Sequence, residues 1–149
     1  MSCGREGEEP LIIRLPKASD MPAKIAEVLA NAHDEGYAWG DMAVLCRKQT
    51  QMDEVGRALK ARRLPHEVRK SSSDFHPLAN TIKVMTMHVS KGLEFSVVTV
   101  CGVGHTLDAR EDEKEEARLF YVAATRATQR LAIVVPADGG SKLAVELWA

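Results

Sequence analysis

Apolar runs of four to six residues recur along this chain, and segments with apolar residues at helical spacing lie between several of them. Short continuous apolar runs are typical of buried strands, whereas apolar repeats of three and four residues are typical of helices. Strands that alternate with helices indicate a mostly parallel sheet with helices on both faces. The predicted strands are residues 11–15, 41–46, 66–69, 82–87, 97–100 and 131–135, and the predicted helices begin at about residues 20, 50, 117 and 141.

Local signals bound the predicted helices. Ser19 or Asp20 can cap the first helix, and Gly36 ends it. Thr50 with Asp53 indicates the start of the second helix, whose apolar stripe continues to about residue 63. An acidic run precedes the third helix, where negative charge suits the helix dipole. The apolar face of that third helix is predicted to consist of Ala117, Phe120, Tyr121 and Ala124.

Length and composition are those of one globular domain. The chain has 149 residues, of which we assign 11–149 to a single domain and 1–10 to a disordered lead or an artificial boundary. A formal net charge of −1 means that any nucleic-acid contact must be local. Three widely spaced cysteines predict reduced thiols, with neither disulfide nor zinc site. No apolar run is long enough to span a bilayer, so we expect no membrane partner and a cytoplasmic location.

Two stretches carry the residues that suggest chemistry. In the first, Thr86, His88, Lys91 and Glu94 lie in or beside a polar loop between two predicted strands. Ligands bind beyond the carboxyl ends of the strands in open α/β sheets, so we expect these four side chains to crowd at one mouth. The second stretch, residues 115–127, reads Glu-Glu-Ala-Arg-Leu-Phe-Tyr-Val-Ala-Ala-Thr-Arg-Ala. Three residues separate it from the last predicted strand.

These stretches, Thr-Met-His-x-x-Lys-Gly-Leu-Glu-Phe and Glu-Glu-x-Arg-Leu-Phe-Tyr-Val-Ala-x-Thr-Arg-Ala, resemble the fifth and sixth motifs of UvrD/Rep/PcrA-type superfamily 1 DNA helicases. The resemblance covers about residues 40–135 and implies an α/β, three-layer, RecA-like domain, the second of two in such helicases. Only about twenty residues separate the motifs, which implies a compact variant without the large accessory insertion.

The resemblance also implies catalytic roles for two arginines. Arg126 would contact the γ-phosphate of ATP as an arginine finger, because a guanidinium offers a planar fork of donors to the charge that develops there. Arg47 ends a strand that is similar to the fourth motif, and it would reach the same phosphate. The residue before Arg47 is Cys46, whereas the family usually has a tyrosine that stacks on adenine. An arginine at the end of a helix or strand is otherwise an ordinary surface residue.

The remaining implied roles fall on the first stretch. Glu94 would bind the ribose of ATP, with Lys91 and Gly92 supporting the nucleotide site. Thr86 and His88 would contact the backbone of single-stranded DNA, for which a hydroxyl and an imidazole N–H are suitable donors. A histidine satisfied within the core is the alternative for His88.

The chain lacks the sequence elements that hold phosphates and magnesium. It contains no Gly-x-x-x-x-Gly-Lys-Ser/Thr loop, so we expect that it cannot hydrolyse ATP alone and that ATP with Mg²⁺ is shared with a first RecA-like domain, in cis or in trans. Two functions remain open: the C-terminal motor domain of an ATP-dependent DNA helicase, or a stand-alone non-catalytic module that binds nucleic acid or a protein.

One further segment is strongly basic. Residues 57–70 contain six lysines and arginines against a single acid, Glu67, and no aromatic residue. Such a stripe suits contact with phosphates and equally suits the solvated face of a helix.

Overall fold

The structure of this protein is a computed structural model. It describes residues 11–15, 17–69, 79–86, 90, 93–101, 118 and 121–136. The predicted lead at residues 1–10, the acidic run, most of the first turns of the third helix and the closing helix at residues 141–147 lie outside the described residues.

Six strands form one sheet, in which each pair of described neighbours is parallel. The strands are β1 (Leu11–Leu15), β2 (Met42–Cys46), β3 (His66–Arg69), β4 (Ile82–Thr86), β5 (Phe95–Cys101) and β6 (Ala127–Pro136). Their order across the sheet is β1-β6-β5-β2-β4-β3. Strand β2 is buried at every position, and β4 and β5 are each buried at all positions but one, as expected for parallel strands covered on both faces.

Helices cover the two faces of this sheet, which confirms the predicted three-layer α/β fold. Helices α1 (Met21–Asp34) and α2 (Gln49–Ala61) pack on one face through a cluster that includes Ile25, Leu29 and Leu59. On the other face, the helix at residues 121–126 packs against β2, β5 and β6 through Ala123 and Ala124. The strand alternation puts opposite side chains of each strand into these two cores.

Helix α1 begins and ends where the sequence predicts. Asp20 is its N-terminal flanking residue, although the Asp20 side chain makes no capping hydrogen bond. At the other end, Gly36 has a φ of 114°, a conformation that glycine adopts without steric cost. The Gly36 N–H donates to His33 O at 3.0 Å and the Tyr37 N–H donates to Ala32 O at 3.2 Å. This pair of bonds is a Schellman motif, and it satisfies the last carbonyl groups of the helix.

The start of α2 differs from the prediction in its capping residue. Thr50 and Asp53 were the expected start signal, but the helix begins at Gln49 and Gln51 provides the contact. Gln51 Oε1 accepts from the backbone N–H groups of Arg47 and Lys48, at 3.0 and 3.1 Å. A glutamine at the third helical position can reach back in this way, as in a capping box.

Two boundaries and one apolar face also differ from the prediction. Strand β6 begins at Ala127, immediately after the helix, because Ala127 and the polar residues 128–130 continue the pairing with β5. Strand β5 begins at Phe95 rather than at Val97. The predicted place of Tyr121 on the apolar face of the third helix is wrong: Tyr121 is 71% exposed, and the face that packs on the sheet is formed by Ala123 and Ala124.

An ion pair connects β6 to the end of α1. Arg130 donates to both carboxylate oxygens of Glu35, at 2.9 and 3.2 Å, and its guanidinium lies 5.3 Å from the ring centroid of Tyr37. Bidentate pairs of this kind are stronger than single contacts. Hydrogen bonding and the charge of Arg130 hold the pKa of Glu35 below its usual value of 4.5.

We therefore predict an acid-dependent loss of stability through Glu35. Because the pKa of Glu35 is lower in the folded state, the folded chain binds fewer protons, so the contribution is complete above about pH 4.5 and is lost as the pH falls through the folded value. Urea unfolding between pH 7 and pH 3 should show a stability gap between the native chain and Glu35→Gln that closes at low pH. Glu27→Gln, which removes a carboxylate 3.4 Å from Lys24, is the control and should show a smaller gap. Equal gaps for both variants would contradict the prediction.

Candidate functional site

The predicted site residues that the structure describes lie at two different edges of the sheet. Because the strands are parallel, one edge carries all of their amino ends and the other carries all of their carboxyl ends. Thr86 is the last residue of β4, and Arg47 directly follows β2. Cys46 is the register partner of Thr86, so Arg47 and Thr86 lie together at the carboxyl edge.

Glu94 and Arg126 lie together at the amino edge. Glu94 directly precedes Phe95, and Arg126 directly precedes Ala127, and these two strand residues are register partners. Neighbouring strands are separated by about 4.8 Å, so the backbones of Glu94 and Arg126 are adjacent. A hydrogen bond also connects Ser90 and Arg126 here, although they lie 36 positions apart in the sequence. His88, Lys91 and Gly92 lie outside the described residues.

This arrangement corrects the expectation that Thr86 and Glu94 crowd at one mouth. β4 and β5 both pair in parallel with β2, so the chain must cross from the carboxyl edge back to the amino edge between them. Strand β5, from Phe95 to Cys101, is about 20 Å long at 3.3 Å per residue. Arg47 and Arg126 likewise lie at opposite ends of their strands, since Arg47 follows β2 and Arg126 precedes β6.

Arg126 is oriented by the crossing segment. Its Nε donates to the Ser90 carbonyl oxygen at 2.9 Å, and its Nη1 donates to Thr125 Oγ1 at 3.1 Å. Ser90 is fully buried, its N–H donates to Thr86 O at 3.2 Å, and its carbonyl also accepts from Leu93 N–H at 2.9 Å. The sequence indicated Ser90 only as part of a polar turn. In the structure the Ser90 carbonyl group makes a side-chain contact between the two motif stretches, in addition to the pairing of Phe95 with Ala127.

The remaining donors of Arg126 are suited to an anion. The side chain is half-buried, and within the described part of the chain it has no hydrogen-bond acceptor besides Ser90 and Thr125. Nη2 therefore has two hydrogens available for an incoming group. A guanidinium held at one end and open at the other can meet two oxygens of a phosphate at once.

A polar cavity of about 440 Å³ opens at the amino edge. Its wall includes Glu94 and Ser96 from the start of β5, Asp41 before β2, and Thr128 near the start of β6. The Glu94 side chain is exposed. The volume lies at the small end of the range for ligand pockets, and its carboxylate and hydroxyl lining suits a ligand that carries hydroxyl groups.

Lys83 forms part of the cavity floor and is 1% exposed. Its ammonium group donates to Ala79 O at 2.9 Å, to Thr81 O at 2.8 Å and to Thr81 Oγ1 at 2.7 Å, and it lies 3.1 Å from Glu67 Oε2. A buried ammonium group requires this full set of partners. Lys83 therefore holds the segment before β4 against β3, a role that the strand pattern did not reveal.

Cys46 lies in the core and is inaccessible to a base. It is completely buried in the cluster beneath α1 and α2, and its register partner across β5 is Cys101. The hydrogen bond with Cys101, followed by burial, raises the pKa of Cys46 well above the usual value of 9.0. Both are free, buried thiols, so the residue before Arg47 offers no stacking surface.

The described residues contain neither a metal-binding cluster nor a helix that could span a membrane. Within the ranges given above, no three histidine, cysteine or acidic side chains are grouped so that they could hold a metal ion. None of the helices in those ranges has the length and apolar character needed to cross a bilayer.

Comparison with known families identifies a helicase domain. The family of UvrD-like helicase C-terminal domains matches residues 69–137. The chain is 34% identical over 109 residues to a probable DNA helicase from Mycoplasma pneumoniae. This alignment covers 68% of this chain and 18% of that protein. The chain is 45% identical over 60 residues to the ATP-dependent DNA helicase UvrD1 from Mycobacterium bovis, covering 36% of this chain and 8% of that protein. The chain thus spans less than a fifth of either relative.

Solved structures share the fold. The C-terminal domain of a possible DNA helicase from Lactobacillus plantarum WCFS1 superposes with a TM-score of 0.71 at 22% identity, covering 93% of this chain and 80% of that one. The C-terminal domain of the DEAD-box protein Dbp5 superposes with a TM-score of 0.59 at 10% identity, covering 92% and 80%. At such identities the likeness establishes a RecA-like α/β fold and nothing finer.

Proposed function

Because residues 69–137 place this chain in the family of UvrD-like helicase C-terminal domains, we propose that it is the second RecA-like domain of an ATP-dependent superfamily 1 DNA helicase. Its partner is a first RecA-like domain, in cis or in trans, which supplies the phosphate-binding loop that this sequence lacks. The chain contributes one wall of the ATP site and part of the path of the DNA.

The observation that carries the proposal is the bond from Arg126 Nε to the Ser90 carbonyl oxygen. This bond orients the guanidinium and leaves Nη2 for a phosphate oxygen. In phosphoryl transfer the charge spreads over the equatorial oxygens, and a positioned arginine stabilises that charge. Arg126 is therefore proposed as the arginine finger that acts on the γ-phosphate.

Glu94 is proposed to bind the ribose of the same nucleotide. Its carboxylate is exposed at the polar cavity and can accept hydrogen bonds from the two ribose hydroxyl groups. Lys91 and Gly92 remain predicted parts of this site. Mg²⁺ would arrive with ATP and be held by the partner domain, since the described residues of this chain offer no ligand set for it.

Single-stranded DNA is proposed to bind at the carboxyl edge. Thr86 ends β4 there, and the predicted contact His88 follows it in sequence. Arg47 shares this edge, and Arg126 precedes the opposite ends of the strands, so we reassign Arg47 from the γ-phosphate to the DNA backbone. The two ligands then occupy opposite edges of one sheet, and a domain closure driven by ATP at one edge would move the strand held at the other.

We predict that Arg47→Gln weakens binding of single-stranded DNA. Loss of one phosphate contact should reduce the slope of log affinity against log salt by about 0.7 and should lower the affinity severalfold. Fluorescence anisotropy with a labelled oligothymidine measures both quantities. Arg14→Gln removes the same charge from an exposed position on the edge strand β1 and should leave the slope unchanged. An unchanged slope for Arg47→Gln would return Arg47 to the list of ordinary surface arginines.

ATP hydrolysis in a reconstituted pair tests the proposed function. The 149-residue chain is added to a separately purified first RecA-like domain from a curated relative, with single-stranded DNA present, and phosphate release is measured. We expect little release from either component alone and a marked stimulation when both are present. An absence of stimulation at high concentrations of both components would overturn the proposal.

The second candidate is a non-catalytic module that binds nucleic acid or a protein. It is favoured by Cys46, which is buried where the family usually has a tyrosine for base stacking. DNA binding without ATPase stimulation in the same reconstitution would select this alternative.

A further inference from the structure

The end of α2 carries an exposed cluster of positive charge. We call it the basic patch and define it as Arg57, Lys60, Arg62 and Arg63. All four side chains are exposed, and none has an ion-pair partner among the described residues. The acids of the helix, Asp53 and Glu54, lie in its preceding turns. The charges of α2 are therefore segregated, although the net charge of the whole chain is −1.

Arg63 occupies a backbone position that does not favour an arginine. Its φ is 59°, and it is the only described residue other than glycine with a positive φ. Its N–H donates to Lys60 O at 2.9 Å, and the Leu64 N–H donates to Leu59 O at 2.9 Å. Glycine is the residue that this left-handed conformation normally selects, because a Cβ atom is strained there.

The chain itself provides the comparison. Helix α1 ends with the same pair of hydrogen bonds, and the corresponding left-handed residue there is Gly36. The helix dipole favours cations near the end of α2, which accounts for a basic residue at Lys60. It does not require an arginine at the strained position, where glycine would relieve the backbone. A side chain retained at such a position points to a role for the side chain.

The basic patch is distant from the proposed single-strand path. Helix α2 begins at Gln49, beside Arg47 at the carboxyl edge, and its 13 residues carry the chain about 20 Å back to the amino edge before β3. Single-stranded DNA that is bound by Thr86 and Arg47 would therefore leave the basic patch free. The patch is a second, separate positive surface.

From these observations we infer that the basic patch binds the phosphate backbone of double-stranded DNA. Surfaces that bind single strands combine positive charge with aromatic side chains on which bases stack, and residues 49–63 contain no aromatic residue. A cluster of cations alone suits the denser charge of a duplex and makes contacts that are independent of sequence. The inference rests on the proposed function only for the choice of DNA as the polyanion.

Salt-dependent binding of a 20-base-pair duplex by the 149-residue chain tests the inference. Arg57→Gln, Lys60→Gln and Arg62→Gln are combined in one variant, and Arg14→Gln, Lys17→Gln and Lys24→Gln in a control with the same change of charge. Three lost phosphate contacts should reduce the slope of log affinity against log salt by roughly 2.7 and lower the affinity at least tenfold at low salt. The control should keep the slope. Equal losses in both variants would show a general charge effect and overturn the inference.

Arg63→Gly separates the role of the side chain from its effect on folding. Glycine relieves the backbone at this position, so the variant should melt about 3 °C higher than the native chain while its duplex affinity falls about threefold. Arg63→Lys keeps both the charge and the strained backbone, and should retain the native affinity within twofold. A higher melting temperature with unchanged duplex affinity would overturn the inference.

The ATPase reconstitution keeps this inference distinct from the proposed function. In one outcome, the triple patch variant loses duplex binding while the native chain fails to stimulate ATP hydrolysis. That result would support duplex binding by the basic patch and overturn the proposed motor function. If the variant binds the duplex normally but no longer stimulates the first RecA-like domain, the patch is a contact between domains and the inference is overturned.

Discussion

Arg126→Ala is expected to reduce stimulated ATP hydrolysis in the reconstituted pair by about 10³- to 10⁵-fold, the range found for arginine fingers in phosphoryl transfer. The guanidinium is oriented by the Ser90 carbonyl oxygen, so its position is set before the nucleotide arrives. Such preorganised charge acts on the transition state more than on the bound substrate, and the loss should therefore appear in kcat with little change in KM.

Arg126→Lys is the matched variant for this experiment. It keeps the positive charge but has neither the Nε group that binds Ser90 nor the planar fork. We expect a rate between those of the alanine variant and the native chain. Both variants should melt within a few degrees of the native chain, because Arg126 is only half-buried. Native rates with Arg126→Ala would remove the arginine finger from the proposed mechanism.

Lys83→Met is expected to destabilise the fold by about 3 kcal/mol, the lower end of the cost of breaking a buried ion pair. The substitution conserves most of the volume but leaves Glu67, whose side chain is 21% exposed, without its nearby ammonium group. It also leaves the carbonyl groups of Ala79 and Thr81 without the donor that satisfies them. Chemical denaturation monitored by circular dichroism measures the effect.

A double variant isolates the charge interaction in this network. Lys83→Met with Glu67→Gln removes both charges, so it should be more stable than Lys83→Met alone. Lys24→Met is the control, because that lysine makes an exposed contact with Glu27 at 3.4 Å and should cost less than about 1 kcal/mol. Similar losses for Lys83→Met and Lys24→Met would contradict the proposed importance of the buried network.

The layers of the fold could be predicted from the sequence because each depends on local periodicity. Runs such as Met42–Cys46 are apolar at every position, and α1 repeats its buried residues at helical spacing. The start of β6 could not be predicted in this way. Three of its first four residues, 128–130, are polar and become part of the sheet through pairing with β5, which is a tertiary interaction.

The sequence indicated candidate residues for the site but not their geometry, and the roles of those residues stay predictions. The motif resemblance indicated Arg126 and Glu94 separately, but their proximity follows from the register of Phe95 with Ala127, which no local pattern encodes. The separation of Thr86 from Glu94 follows from the parallel connection between β4 and β5. The expectation that they lie together was wrong, because a short polar loop does not show which strand ends it joins.

The order of strands bears on how this protein folds during synthesis. β1 lies at one edge of the described sheet, and among the described strands it pairs only with β6, with Leu11 paired to Ala132 about 120 positions later. At about 5–20 residues per second, β1 waits roughly 6–24 s on the ribosome before its partner emerges. In that interval Ile12 and Ile13 remain available for other contacts. The synthesis of β6 thus sets the earliest time at which β1 can join the sheet. A pause in translation before β6 would prolong the period in which the nascent chain is prone to aggregate.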